Sequence, residues 1–270
     1  MLIEPVELVE VAELGAVHFI AIGGAGMSPI AAMYAALGVS VSGSDQADSA
    51  TLAGLAALGI RTHVGHDAAQ LGDAATVVVS SAIRETNPEL VEARRRGLRI
   101  WHRSTALAAL MLGRTGVAVT GTHGKTTTSA MTAVLLSGAG ADPGYVVGSP
   151  LTATGRAWHL GGGAAFVVEA DESDGSFLQY PAAIAVVTNV EADHLDNWGT
   201  PAGYAAGFVD FATAPGVATV VISADDPGAV ALTPAIRRAG KHVVTVGESA
   251  GADVRLTAVE SAAGGSRAVL

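Results

Sequence analysis

The chain contains no cysteine. Disulfides, thiol nucleophiles and cysteine-held metals are therefore excluded. Positive charge is also scarce: 15 Lys and Arg face 25 Asp and Glu, a formal net charge of −10. That balance argues against nucleic acid as a partner, because neutralising phosphates takes clustered Lys and Arg. The one basic run, Arg94-Arg95-Arg96, falls at the C-terminus of a predicted helix, where cations suit the helix dipole, and reads as a solvated face. No apolar run is long enough to span a membrane. The N-terminal Met1-Leu2-Ile3-Glu4-Pro5-Val6-Glu7 is acidic and lacks the basic region of a signal peptide. A cytoplasmic protein is expected. Aromatics make up only 4% of a chain that is 50% hydrophobic, and small residues abound. Such a composition suits helices packed closely on parallel sheets.

Lysine is the rarest cation, present only at Lys125 and Lys241. Lys125 stands in the most informative stretch, Gly121-Thr122-His123-Gly124-Lys125-Thr126-Thr127-Thr128. An apolar run, Gly116–Thr120, precedes it and a helical pattern follows. Strand, glycine-rich turn, Gly-Lys-Thr and helix form a phosphate cradle of backbone N–H groups at a helix N-terminus. Gly121, Thr122, His123, Gly124, Lys125, Thr126 and Thr127 are the candidate residues for binding a nucleoside triphosphate. Lys125 is expected to reach the β- and γ-phosphates and the Thr126 hydroxyl to bind Mg²⁺. The spacing is shortened: Val119 occupies the place of the usual first glycine, and the glycine comes two residues later at Gly121.

Short apolar runs alternate with helical patterns along all 270 residues, and this βα alternation predicts an α/β protein with parallel sheets covered on both faces. Asn87-Pro88 and Asp226-Pro227 read as helix starts, a cap followed by proline in the first turn. A boundary is expected near Leu112–Thr115. Residues 1–112 then form a Rossmann-like domain and residues 113–270 a P-loop-type domain. The chain stops at Ala268-Val269-Leu270 as a further strand begins, so the second domain reads as incomplete.

Gly23-Gly24-Ala25-Gly26-Met27-Ser28 joins the first strand to the first helix, where a Rossmann-like fold binds phosphates. The next strand ends in Asp45, about where an acidic residue meets a ribose. Taken alone this turn invites NAD. Its G-G-x-G-M spacing departs from G-x-G-x-x-G and fits a nucleotide diphosphate better.

Two acidic clusters follow core strands. Glu169-Ala170-Asp171-Glu172-Ser173-Asp174 ends the run Ala165–Glu169, and Glu191-Ala192-Asp193-His194-Leu195-Asp196 follows Ala183–Thr188. A carboxylate at the end of a strand beside a P-loop strand is a natural second holder of Mg²⁺, which points to Glu169. His194, beside carboxylates, is a candidate metal ligand. Trp198 reads as a loop anchor, and His63, His66 and His102 as ordinary surface or core histidines.

Together these motifs, with Ser80-Ser81-Ala82-Ile83 and Asn87-Pro88-Glu89, resemble the Mur ligases, and within them the alanine-adding branch. The resemblance covers nearly the whole chain. It implies that Gly23–Ser28 cradle the pyrophosphate of UDP-N-acetylmuramate, helped by Ser80–Ile83, with Asp45 near the uridine end. It implies MgATP on Gly121–Thr127, one Mg²⁺ on Thr126 and Glu169, and a second on His194 and Glu169. The lactyl carboxylate would attack the γ-phosphate, giving an acyl phosphate that the amine of L-alanine then opens. Lys125, His123, Glu169 and His194 are the expected catalytic set, His123 donating to charge that develops near the acyl phosphate.

Sister ligases carry a carbamylated lysine in the helix after Asp-His-Leu-Asp. Here Phe208 takes that place, which favours the alanine-adding branch. The family's C-terminal domain has no counterpart here, so substrate binding without complete catalysis is expected. Murein peptide ligase of the same family, an NAD-dependent oxidoreductase and a non-catalytic nucleotide-binding module are the alternatives.

Overall fold

A computed structural model describes residues 2–262 and 265–269. The backbone divides into two units. One comprises Val6–Leu112 with Trp158–Leu160; the other comprises Met1–Pro5, Gly113–Ala157 and Gly161–Leu270.

The first unit is a five-stranded sheet in the order Arg61–Val64, Val41–Asp45, Val17–Ile20, Thr76–Val79, Arg99–His102. Every neighbouring pair is parallel. The central strand Val17–Ile20 is buried along its whole length, as expected of a strand covered on both faces. Helices Ser28–Ala36, Ala50–Ala57 and Pro88–Arg95 and the 3₁₀ turn Ala68–Leu71 make the crossovers, and helix Arg103–Ala109 follows the last strand. Asn87 caps the third: its Oδ1 accepts from the amides of Glu89 and Leu90 at 2.9 and 3.1 Å. Ile20, Leu71, Val77, Leu90 and Ala93 pack one face of the sheet.

Arg61–Val64 is not apparent from the sequence. Its residues Arg-Thr-His-Val lie on an edge and are half or fully exposed, so no hydrophobic pattern marks them. The strand expected to end in Asp45 runs over Val41–Asp45. Pairing with Val17–Ile20 runs to Ser44 and pairing with Arg61–Val64 carries the strand to Asp45, whose carboxylate accepts from the amide of Gly23.

In the second unit seven parallel strands lie in the order Val254–Arg255, His242–Gly247, Thr219–Ser223, Ala182–Val187, Thr115–Thr120, Ala165–Glu169, Gly144–Val146. Thr115–Thr120 is therefore flanked by the two strands that run into the acidic clusters. The chain order reverses there, and open α/β sheets bind ligands at such a point. Helix Lys125–Gly138 follows the central strand, Pro201–Thr213 and Pro227–Arg238 cover other crossovers, and Asp226 caps the last through the amide of Ala229 at 2.7 Å. Ala258–Ala262 pairs antiparallel with Gly265–Val269, and Leu270, the last residue of the strand expected at the chain's end, lies outside the described residues.

Candidate functional site

The turn after Thr115–Thr120 is built on two left-handed glycines. Gly121 has φ +137°, and a Cβ there would lie 2.0 Å from Thr188 Oγ1. Gly124, at φ +79°, caps helix Lys125–Gly138 with backbone alone. A side chain at Gly121 would collide with Thr188 and adopt a backbone conformation that L residues avoid. Thr188 and Asn189, at the end of the neighbouring strand, tether the loop. Thr188 Oγ1 donates to the His123 carbonyl at 2.6 Å. Asn189 accepts from the His123 amide at 2.8 Å and donates to its carbonyl at 2.9 Å. The backbone of His123 is thus clamped while its residue is exposed. Thr122 to Thr127 line a concavity of about 350 Å³, within the range of small-ligand sites.

Glu169 meets the loop from the strand on the other side. Thr126 Oγ1 donates to Glu169 Oε1 at 2.9 Å, and the Gly148 amide donates to Glu169 Oε2 at 2.7 Å. A Cβ at Gly148 would lie 2.6 Å from that oxygen and 2.8 Å from Thr126 Oγ1. Only glycine allows the backbone this close, so Gly148 belongs to the site although nothing in Val147-Gly148-Ser149 announced it. A hydroxyl and a carboxylate side by side are hard oxygen donors of the kind Mg²⁺ takes, usually with water and phosphate completing the set. Thr126 and Glu169 therefore fit such an ion.

His194 lies at the start of the short helix Leu195–Trp198 in a left-handed conformation (φ +50°), its side chain 40% exposed and Nε2 3.8 Å from Asp193 Oδ2. Among the described residues no hydrogen bond or ion pair joins it to Glu169. Nor does any group of three or more His, Asp or Glu gather there for a metal.

Lys125 turns inward. Its Nζ donates to the Gly121 carbonyl at 2.7 Å and lies 3.0 and 2.9 Å from the two carboxylate oxygens of Glu172. Glu172 is fully buried. Tyr204 OH donates to Glu172 Oε1 at 3.3 Å and lies 3.0 Å from Thr122 Oγ1. Burial, with Glu172 nearby, pushes the Tyr204 phenol well above its ordinary range, so it stays protonated and able to donate. Trp198 serves as an anchor: its Nε1 donates to the Glu172 carbonyl at 2.9 Å, and its ring meets Phe177 and Tyr204 edge-on. Phe208 is fully buried against Phe177 and Tyr204, in apolar surroundings that suit a phenyl ring and not a charged carbamate. In the sequence Glu172 is one acid of a cluster. Its signal is that it sits three residues beyond a buried strand end, where the chain turns back into the core.

The first glycine turn is tied by its own acid. Asp45 Oδ2 accepts from the Gly23 amide at 2.9 Å, and the Gly24 carbonyl accepts from the amides of Met27 and Ser28 at 2.9 Å each. A Cβ on Gly26 would stand 3.2 Å from Arg103 Nη1, so a guanidinium borders the turn. Ser80 to Ile83 form a turn closed by the Ile83 amide on the Ser80 carbonyl at 3.1 Å. Ser81 Oγ lies 3.1 Å from His102 Nε2, and Ala82 is exposed. His66 is more than an ordinary histidine. With His18 and Ser44 it surrounds buried Glu89, at 2.8, 2.9 and 2.7 Å from its oxygens. Burial pushes the Glu89 carboxyl up, but hydrogen bonds from His18, Ser44 and His66 and the His18 charge hold it below its ordinary value.

A parallel α/β sheet with a short Gly-Lys-Thr loop at its switch point and an acid beside the Thr defines a class, the P-loop nucleotide-binding proteins. Residues 16–115 match the Mur ligase family catalytic domain, and residues 119–270 match the Mur ligase middle domain. The chain belongs to the Mur ligase family. It is 67% identical over 254 residues to UDP-N-acetylmuramate–L-alanine ligase of Cutibacterium acnes, covering 94% of this chain and 54% of that protein. The ligase of the same name from Thermobifida fusca is 56% identical, again over 94% of this chain and 54% of the relative. The chain thus spans about half the length of the curated relatives it matches. A crystal structure of UDP-N-acetylmuramate–alanine ligase from Thermotoga maritima superposes with a TM-score of 0.77 at 30% identity, covering 91% of this chain and 55% of that one. The murein-type ligase from Neisseria meningitides that joins UDP-N-acetylmuramate to L-alanyl-γ-D-glutamyl-meso-diaminopimelate gives 0.80 at 27%, covering 95% and 84%.

Proposed function

We propose that this chain supplies the nucleotide-sugar and nucleotide sites of an ATP-dependent ligase that joins L-alanine to UDP-N-acetylmuramate for peptidoglycan. The observation that carries the reading is the junction of the shortened P-loop with Glu169, where Thr126, Glu169 and Gly148 leave one polar notch at the sheet edge. The 67% identity to a relative of that name supports the choice of substrate.

In this reading the turn Gly23, Gly24, Ala25, Gly26, Met27 and Ser28 takes the pyrophosphate, with Ser80, Ser81, Ala82 and Ile83 beside it and Asp45 toward the uridine. Gly121 to Thr127 take the ATP phosphates. Thr126 and Glu169 would hold one Mg²⁺, and His194 with Glu169 a second. The ions, when bound, supply charge neutralisation at the γ-phosphate. Lys125 adds a positive charge to the same oxygens, and the helix N-terminus adds its dipole. A carboxylate is too poor an electrophile for an amine; in line with a neutralised γ-phosphate, the lactyl carboxylate would displace ADP from it to give an acyl phosphate, from which the amine of alanine would displace inorganic phosphate. His123, exposed at the loop's crest, is placed to donate to developing charge, and its replacement by Ala is expected to slow turnover of the ligase.

Calorimetric titration of the chain with UDP-N-acetylmuramate and then MgATP tests the reading. Both are expected to bind. Binding of NADH in place of the sugar would overturn it. A second reading, murein peptide ligase, is favoured by the TM-score of 0.80. Product analysis of the ligase, with L-alanine and the tripeptide in competition, separates the two.

A further inference from the structure

Lys125 points its ammonium into the protein. Its Nζ donates to three acceptors, Gly121 O at 2.7 Å, Thr122 O at 3.3 Å and Glu172 Oε1 at 3.0 Å, with Glu172 Oε2 2.9 Å away. An ammonium has only three N–H groups, so these acceptors use them all. The pair is shielded: the Lys125 side chain is 17% exposed and that of Glu172 not at all. Glu172 is held in turn by Tyr204, whose hydroxyl reaches both Glu172 Oε1 and Thr122 Oγ1, and by Trp198 through its backbone carbonyl. In this state Lys125 has no proton to offer a phosphate oxygen.

We propose that Glu172 is a positioning residue that holds Lys125 retracted and competes with the nucleotide phosphates for its ammonium. The inference rests on reading Gly121–Thr127 as a nucleotide site. A phosphate draws Lys125 out only by breaking an ion pair with a buried carboxylate, and leaving such a carboxylate alone is costly. The Tyr204 hydroxyl remains on Glu172 Oε1 and limits that cost. A single phosphate offers too little charge to repay the break, whereas a metal-bound triphosphate meets Lys125, the loop amides and the helix dipole together. The latch thus sets a threshold that favours triphosphates over inorganic phosphate.

Two isosteric variants move binding in opposite directions. E172Q removes the competing charge, and MgATP is expected to bind about tenfold tighter, the change one charge-assisted hydrogen bond to a buried carboxylate makes. Y204F removes the donor that remains on Glu172, and MgATP is expected to bind about threefold weaker. The E172Q gain should vanish when Lys125 is replaced by Ala in both backgrounds, which a merely structural role for Glu172 would not produce. Calorimetry reads the affinities and urea melts confirm folding. The wild type supplies a direct readout, because ¹⁵N-lysine labelling gives only two side-chain ammonium signals. The Lys125 ammonium is expected to exchange slowly with water without nucleotide and to shift on adding MgATP. Unchanged or weaker binding in folded E172Q, variants that move together, or a fast-exchanging Lys125 ammonium overturns the proposal while the nucleotide reading stands. If E172Q does not fold, Y204F and the ammonium signal decide. If no variant and no wild type binds MgATP, the nucleotide reading falls and this inference with it.

Discussion

The two glycine turns solve the same backbone problem with opposite electrostatics. At Gly23–Ser28 the turn is stapled by its own acid, Asp45, and its amides fold onto the Gly24 carbonyl. At Gly121–Thr127 the loop is tethered from outside by Thr188 and Asn189, and at its base lies an ion pair, Lys125 with Glu172. The first turn is set before a ligand arrives. The second stores a cation whose partner must be exchanged. Fixed amides position a phosphate; a held lysine makes binding conditional.

Breaking the ion pair is the largest test of this contrast. Lys125→Ala strands a buried carboxylate, and the chain is expected to lose about 3–5 kcal/mol of stability in urea unfolding together with part of its MgATP affinity. Adding Glu172→Gln to Lys125→Ala should restore most of that stability without restoring binding. A single variant as stable as wild type would show that Glu172 is not charged in the fold.

The glycines sharpen it next. Gly121→Ala forces a Cβ into Thr188 at φ +137° and is expected to cost about 2–3 kcal/mol, whereas Gly26→Ala meets only the flexible Arg103 side chain and should cost within about 1 kcal/mol. Thermal melts that rank the two the other way would place the rigid turn in the first unit.

Beneath the first turn, Glu89 makes stability pH-dependent. Its folded carboxyl titrates below its unfolded value, so the unfolded chain binds that proton more readily. Its contribution is complete above the ordinary carboxylate range and is lost as pH falls through the lowered value. Glu89→Gln is expected to lower stability at neutral pH and to flatten the acid limb of the stability–pH curve, measured by urea midpoints from pH 7 down to pH 3. Asp45→Ala, which removes one acceptor from the Gly23 amide, should cost about 0.5–1.5 kcal/mol in urea unfolding.

Local patterns carried much of this molecule. The P-loop turn and the helix caps at Asn87 and Asp226 were readable because each depends on residues close in the chain, and Glu169 and Trp198 were marked by their places at a strand end and in a loop although their partners Thr126 and Glu172 lie 43 and 26 residues away. Gly144–Val146 is only three residues long, and Arg61–Val64 carries no apolar pattern, so neither was visible. His18 gave no signal at all, since a histidine inside an apolar strand looks like a surface position until Glu89, 71 residues away, is seen to meet it.

By itself the sequence determined the class of elements, the cradle for phosphate and the family, since period, glycine spacing and a Gly-Lys-Thr at a helix start are properties of neighbouring residues. Only the tertiary structure decided the strand order that sets the two acidic loops on either side of the P-loop. It alone brought Gly148 against Glu169, and Glu172 and Tyr204 beneath Lys125. Contacts across dozens of residues depend on how sheets and crossovers close. A buried carboxylate's partner is chosen by that closure, because no charge can be left alone in the core.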